Sequence, residues 1–258
     1  MTLSRSFCFL AFVLSLVAAA PLAAEEKWGT LTGRIVVEGK VGPPAKIVAD
    51  KDTEVCNKNP LVDEKAIVGP KGELKDALVW LRTENVPVAP EYDASAKADV
   101  VVDNKGCRFE PHVALYRVGQ TLVIKNSDPI SHNTKGVLLT NPEFNEMIPA
   151  GNEIKKTFDK PEGLPVTIGC NIHPWMGGRV LVRPNPYAAV TDADGKFTIK
   201  DLPAGKELEF QLWEEKPGNL KEAKNKVVKV DKKGRFKMTL KPGENDLGDI
   251  TVSGALFK

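Results

Sequence analysis

Cys170, His173 and Met176 fall within seven residues of one another, spaced Cys-x2-His-x2-Met in Ile168-Gly169-Cys170-Asn171-Ile172-His173-Pro174-Trp175-Met176-Gly177. A further imidazole, His132, lies upstream in Lys125-Asn126-Ser127-Asp128-Pro129-Ile130-Ser131-His132-Asn133. Two imidazoles, a thiolate and a weak axial thioether are the donor set of a mononuclear type 1 (blue) copper site. The soft thiolate suits both Cu(I) and Cu(II), the imidazoles tolerate either, and the long thioether bond helps to tune the potential. A site that hardly changes shape between oxidation states suits one-electron transfer. Each residue alone has a plainer reading. Cys170 could be a buried thiol, Met176 a core filler and His173 a surface residue, and Cys-x2-His could be half of a zinc site. Covalent haem attachment needs Cys-x-x-Cys-His, which is absent here. A cysteine hydrolase gives no role to Met176 or to so short a loop.

Strands must deliver these donors, because turn residues punctuate the chain and no long segment has a 3.6-residue period. Thr30–Val37 alternates and is rich in β-branched residues. Lys46–Ala49, Ala66–Val68 and Ala77–Leu81 read as short strands, and Val86–Pro90 with Asp93–Ala98 as a surface loop. Val100–Val102, Val113–Val118, Thr121–Asn126, a polar strand near Glu153–Phe158, Val166–Gly169 and Arg179–Val182 follow, with Phe144–Gly151 as a loop. The Cys170–Met176 segment is then a hairpin connection. His132 sits on a neighbouring loop, so the scaffold fixes the donor geometry.

Asn126, His132-Asn133 and Cys170…His173…Met176, after Phe109-Glu110-Pro111 and a strand ending in Asn, resemble the cupredoxins. The short ligand loop with Pro174 is most similar to the amicyanin/plastocyanin-like type. The match spans roughly Asn104 to Arg183. It implies a Greek-key β-sandwich holding one copper ion, with His132, Cys170 and His173 equatorial and Met176 axial. Asn133 and Asn171 would brace the two ligand loops from behind. Electrons would cross an exposed edge of His173, ringed by a docking patch of Met147, Ile172, Pro174 and Trp175. His112, beside Phe-x-Pro, is either a strand-start polar residue or an extra ligand. The implied partner is a c-type cytochrome or a periplasmic dehydrogenase, with no catalysis by the chain itself.

Met1–Ala24 reads as a signal peptide, with a basic start, an apolar run from Phe7 to Ala20 and small residues before Glu25. The expected product is therefore periplasmic or secreted, without a membrane span. Removing Cys8 with the signal leaves Cys56, Cys107 and Cys170, an odd number for an oxidising compartment. If copper keeps Cys170 as a thiolate, Cys56 and Cys107 are free to form a disulfide; otherwise they are separate buried thiols. The 36 basic and 34 acidic residues nearly balance, which implies no nucleic-acid partner.

Beyond the linker Arg183–Pro186, Val190-Thr191-Asp192-Ala193-Asp194-Gly195-Lys196-Phe197 and Leu202-Pro203-Ala204-Gly205 resemble the transthyretin-like sandwich of carboxypeptidase regulatory domains. Asp192–Gly195 lacks the bidentate Glu of a calcium loop and reads as a hairpin turn. Lys221–Lys241 carries nine basic residues, by default a solvated face and alternatively a docking surface for an acidic redox partner.

The expected organisation is all-β. A signal peptide (1–24) precedes an N-terminal β region (25–103), a cupredoxin-like domain (104–183) and a smaller transthyretin-like sandwich (184–258). Leu31–Val37 could join either sandwich. The expected function is electron transfer at type 1 copper. Copper storage or delivery is the first alternative, and a carbohydrate- or protein-contact module centred on the C-terminal sandwich is the second.

Overall fold

The alternation in the first apolar segment produces a strand, β1 (Trp28–Glu38), with Leu31, Ile35 and Val37 turned inward. The computed structural model describes residues Trp28–Lys258; the expected signal peptide and Cys8 lie outside the described residues. After β1 comes an irregular stretch holding the one α-helix among the described residues, α1 (Thr53–Cys56). Lys46–Ala49, expected as a strand, makes only a single bridge from Lys46 to Val62. Its ladder stops because the Asn57 side chain takes both backbone groups of Ala49, at 2.8 and 3.1 Å. The small ribbon of β2 (Ile67–Val68) and β3 (Leu74–Lys75) leads into β4 (Leu78–Leu81), which is buried along its whole length.

Nine consecutive strands then form the first sandwich. They are β5 (Asp99–Asn104), β6 (Phe109–Glu110), β7 (Val113–Arg117), β8 (Thr121–Asn126), β9 (His132–Val137), β10 (Phe144–Ile148), β11 (Glu153–Lys156), β12 (Val166–Gly169) and β13 (Gly177–Arg183). Their order is β10-β9-β12-β13-β7 in one sheet and β11-β8-β5-β6 in the other. Phe144–Ile148, expected as a loop, is the edge strand β10 paired to β9. Gly136 leaves room for it, since a Cβ there would lie 2.2 Å from the Phe144 ring.

The second sandwich draws on both ends of the chain. It contains β14 (Ala188–Val190), β15 (Lys196–Pro203), β16 (Glu207–Glu214), β17 (Gly218–Asn219), β18 (Arg235–Thr239) and β19 (Gly243–Ser253). One sheet is ordered β15-β1-β19; the other is β14-β4-β16-β17, with β18 also on β16. β1 is therefore the central strand of a sheet whose other members are C-terminal, antiparallel to β15 and parallel to β19. Residues 25–103 do not stand as a separate β region, since β1 and β4 complete the second sandwich and β5 opens the first. The Asp192–Gly195 turn is tight, with the Asp192 carboxylate accepting from the Asp194 and Lys196 amides. It crosses between sheets rather than closing a hairpin, and Gly195 is needed because a Cβ there would meet the Ile35 carbonyl at 2.5 Å.

The two sandwiches pack face to face. Leu78, Trp80 and Trp213 of the second meet Val113 and Leu181 of the first in a shared apolar layer, while Val79 and Leu81 point into their own core. Residues of both parities on β4 are thus buried, and this accounts for the unbroken Leu-Val-Trp-Leu run.

Glu214, next to Trp213, is buried, and that burial raises its carboxyl to about 8, with Glu215 and Asp76 adding to the effect. The unfolded chain releases this proton near the ordinary carboxylate value, whereas the folded chain keeps it. Stability from this group is therefore full below about pH 4.5 and declines as the pH rises to about 8. Glu214→Gln is expected to add about 2 kcal/mol or more at the alkaline end and almost nothing near pH 4. Denaturant titrations at both ends of the range measure this.

Candidate metal centre

His132 opens β9 rather than sitting on a loop, and the turn before it is built by Asn126. The Asn126 amide nitrogen donates to the Ile130 and Ile148 carbonyls at 2.7 and 2.8 Å, and its oxygen accepts from the Asp128 amide at 3.1 Å. Asp128 is thereby aimed inward, where it accepts from the Gly106 and Cys107 amides at 2.6 and 2.8 Å. One of its oxygens also lies 2.9 Å from His132 Nε2. With Nε2 held by a carboxylate, His132 presents Nδ1 to the interior.

Cys170 follows directly on β12, and Met176 directly precedes β13. The connection closes on itself, with the Met176 amide donating to the His173 carbonyl at 2.9 Å and the Cys170 amide to the Met176 carbonyl at 3.2 Å. His173 also has a carboxylate on its outer nitrogen: Nε2 lies 2.8 Å from Asp52, which comes from the segment before α1. Both imidazoles therefore turn Nδ1 to the same point.

That point has the dimensions of a metal site. The two Nδ1 atoms are 2.9 Å apart, and Cys170 Sγ lies 4.0 Å from His132 Nδ1 and 3.7 Å from His173 Nδ1. Metal–nitrogen bonds of about 2.0–2.1 Å and a metal–sulfur bond of about 2.3 Å put such donors roughly 3–4 Å apart at tetrahedral to trigonal angles. Two ring nitrogens facing each other beside a thiolate need a proton or a cation between them. His132 and His173 are fully buried, Cys170 is 5% exposed and Met176 2%, so water does not fill that need from outside. The donors present fit a soft, late transition-metal ion.

The electrostatics point the same way. Burial alone would raise the Cys170 thiol, but hydrogen bonding to His132, to the backbone of Asn133 and His173 and to the His173 ring brings it down to about 6. Burial likewise opposes a charge on His132, yet Asp128 and the Cys170 sulfur raise it to about 9. The metal-free pair is thus thiolate and imidazolium at neutral pH, and metal binding must displace the imidazolium proton. In the metal-free chain, thiolate absorbance is expected to rise with a midpoint near pH 6; in His132→Phe the midpoint should move up toward 9.0. A midpoint indifferent to His132 would contradict the pairing.

The expected bracing residues lie around this group. Asn133 Oδ1 accepts from the Asn171 and Ile172 amides at 2.8 and 3.2 Å, and its amide nitrogen donates to Asn145 at 2.6 Å. Asn171 contributes through its backbone, because its side chain is exposed. Met147 is 57% exposed on β10 opposite Asn133, Pro174 is exposed, and Ile172 and Trp175 are half-buried. The Trp175 ring lies 5.2 Å from that of His173, and its Nε1 donates to the Cys107 carbonyl at 3.1 Å.

One further expectation needs correction, and one open alternative falls away. His173 has no exposed edge: Asp52 and the chain around it cover the nitrogen that was expected to face solvent. His112 does not join the donor group. Its Nε2 lies 2.8 Å from Glu215 at the joint between the sandwiches, where Arg179 binds the other carboxylate oxygen at 3.1 Å. Cys56 and Cys107 form a disulfide, so the nearby trio of Cys107, Asp128 and His132 has no thiolate to offer. Sequence reasoning missed Asp52 and Asp128. Asp128 lay within the quoted His132 segment, whereas Asp52 carries no local signal because it reaches His173 across 121 residues.

No family model matches the chain, and no curated protein matches it. Among solved structures, a copper-containing nitrite reductase from Thermus scotoductus is 27% identical at a TM-score of 0.30, over 33% of this chain. That match spans only 22% of the nitrite reductase. A purple cupredoxin from Nitrosopumilus maritimus is 22% identical at a TM-score of 0.28, covering 33% of this chain and 99% of its own. A mutant of amicyanin in its reduced state is 24% identical at a TM-score of 0.30, covering 40% of this chain and 97% of its own.

Proposed function

We propose that the protein is an exported one-electron carrier in which His132 Nδ1, His173 Nδ1 and Cys170 Sγ, with the Met176 thioether as a weaker donor, would hold a single type 1 copper ion. The observation that carries this reading is the meeting of those three atoms in a buried pocket, each imidazole turned inward by a carboxylate behind it. Copper bound there supplies a one-electron couple.

The chain's own contribution is to hold the donors still. Asn133 ties the Cys170 loop to β9, and Asp128 and Asp52 fix the ring orientations. The surrounding apolar core excludes water, which keeps the reorganisation small. Burial of all the donors favours a carrier over a delivery protein, which needs accessible ligands for exchange. The reading assigns the chain no bond-breaking step. Its partner is a c-type cytochrome or a periplasmic dehydrogenase, meeting the metal end near Met147, Ile172, Pro174 and Trp175. The second sandwich serves as a transthyretin-like structural module packed on the copper sandwich. Export accords with the buried disulfide, and no helix among the described residues is long and apolar enough to cross a membrane.

A visible-absorption and electron-spin-resonance titration with Cu(II) tests the proposal. An intense thiolate-to-copper band with a narrow copper hyperfine splitting supports it, and a colourless protein with an ordinary copper signal rejects it.

A further inference from the structure

The segment between Ala45 and Glu64 belongs to neither sheet of the first sandwich, yet Ala49, Cys56 and Leu61 lie in that sandwich's core. It is held from both sides. The Ile47 amide donates to the Leu61 carbonyl at 3.0 Å and the Asp63 amide to the Ala45 carbonyl at 2.8 Å, which closes the segment as a loop. The disulfide from Cys56 then fastens it to Cys107. Asp52 stands at the tip, one residue before α1, with φ 48° in the left-handed region. That backbone turn presents its carboxylate to His173 Nε2 at 2.8 Å, while the amides of Val55 and Cys56 donate to its own carbonyl at 2.9 Å.

The same disulfide also bears on the other imidazole. The Cys107 amide donates to Asp128, and Asp128 holds His132 Nε2. One cross-link thus joins the two carboxylates that stand behind the two rings.

We propose that residues 45–64 form a disulfide-pinned cap on the metal centre, and that Asp52 is a positioning residue which fixes the His173 ring with Nδ1 inward and closes its outer edge to solvent. The carboxylate accepts the Nε2 proton, so the ring is kept as the tautomer whose Nδ1 lone pair faces Cys170. The consequence for recognition is direct. A redox partner meets the cap and its carboxylate, with Trp175 beside it, and does not meet a bare imidazole.

The inference rests on the copper reading only for its metal-dependent readout, so the experiment has two arms on the full-length chain. In the metal-free protein, nitrogen-15 NMR should show His173 protonated at Nε2, with that proton hydrogen-bonded and protected from exchange with water. Asp52→Gly, which suits the left-handed backbone, should abolish that protection, while Asp52→Asn, which retains an acceptor oxygen, should largely preserve it. Asp50→Asn, two residues away and exposed, should leave it unchanged. In the copper-loaded protein, Asp52→Gly should speed copper loss to a chelator by about 10–100-fold and alter the hyperfine splitting, with Asp52→Asn in between. Unchanged protection of the His173 Nε2 proton in Asp52→Gly overturns the proposal whatever the metal does. Lost protection of that proton without any Cys170-dependent copper band upholds the cap and rejects the copper reading instead. If Asp52→Gly does not fold, an Asp52→Asn protein whose release rate matches that of Asp50→Asn, with the His173 Nε2 proton unprotected in both, also overturns it.

Discussion

Cys170→Ser is expected to abolish the thiolate-to-copper absorption completely and to leave a folded protein with ordinary, weaker copper ligation. The hydroxyl of serine does not ionise near neutral pH and is a hard donor, so it neither gives the charge-transfer transition nor favours Cu(I). The loss in affinity should exceed the roughly 10–100-fold that follows from removing a supporting partner of a metal ligand. Folding should survive, because the exchange changes one atom in a site where Asp128 still backs His132 and Asn133 still ties the loops. The thiolate also draws the imidazolium charge onto His132, so His132 in the metal-free variant should titrate lower than about 9. Absorption and spin-resonance spectra of the loaded variant, chelator competition for its copper affinity, a denaturant titration and histidine titrations of the metal-free variant check these four statements. A blue band surviving in Cys170→Ser would remove the basis of the proposed function.

Why the donors were legible in the sequence, and their supports less so, follows from range. Cys170, His173 and Met176 sit on one hairpin connection, and strand period together with Gly177-Gly178 was enough to place them. Gly178 is required by the fold as well, since a Cβ there would meet the His112 carbonyl at 2.9 Å. Asn133, adjacent to His132, was equally local. Asp52 was not, because nothing in Asp-Lys-Asp-Thr-Glu distinguishes a cap from a solvated turn until the chain is folded. The membership of β1 was hidden for the same reason. Its alternation gives a strand with one buried face, but a pattern of period two does not say whether the covering sheet is near in sequence or, as with β19, more than 200 residues away. Phe144–Ile148 misled in the opposite sense. Its Asn and Glu residues read as loop, whereas an edge strand with an exposed face tolerates them.

The arrangement of sheets ties these pieces together. The sheet that carries His132 and Cys170 is covered on one side by its own partner sheet and, along β7 and β13, by the second sandwich on the other. The strand leaving the ligand turn, β13, therefore has Val180 and Val182 in one core and Leu181 in the other. At its start, Arg179 is held by Glu215 of the second sandwich. The second sandwich thus stiffens the exit of the ligand loop while the cap of residues 45–64 closes its front.

Removing the cross-link tests how far that closure matters. Cys56→Ala with Cys107→Ala opens a loop with a sequence separation of 51, and by chain entropy alone this should cost about 4 kcal/mol of global stability. If the disulfide acted only on the unfolded chain, the folded metal centre would be untouched: the copper spectrum and release rate would stay as they were while the denaturation midpoint fell. The geometry calls for more than that. Cys56 holds the helix behind Asp52, and the Cys107 amide holds Asp128, so both imidazoles lose part of their support together. The double variant should therefore release copper faster than Asp52→Gly, and its His132 should also lose the fixed orientation that Asp52→Gly leaves intact. Denaturant titration gives the first effect, and chelator release with nitrogen-15 spectra of both histidines gives the second. A protein that lost the stability but kept both ring orientations and the release rate would confine the disulfide to holding the chain together.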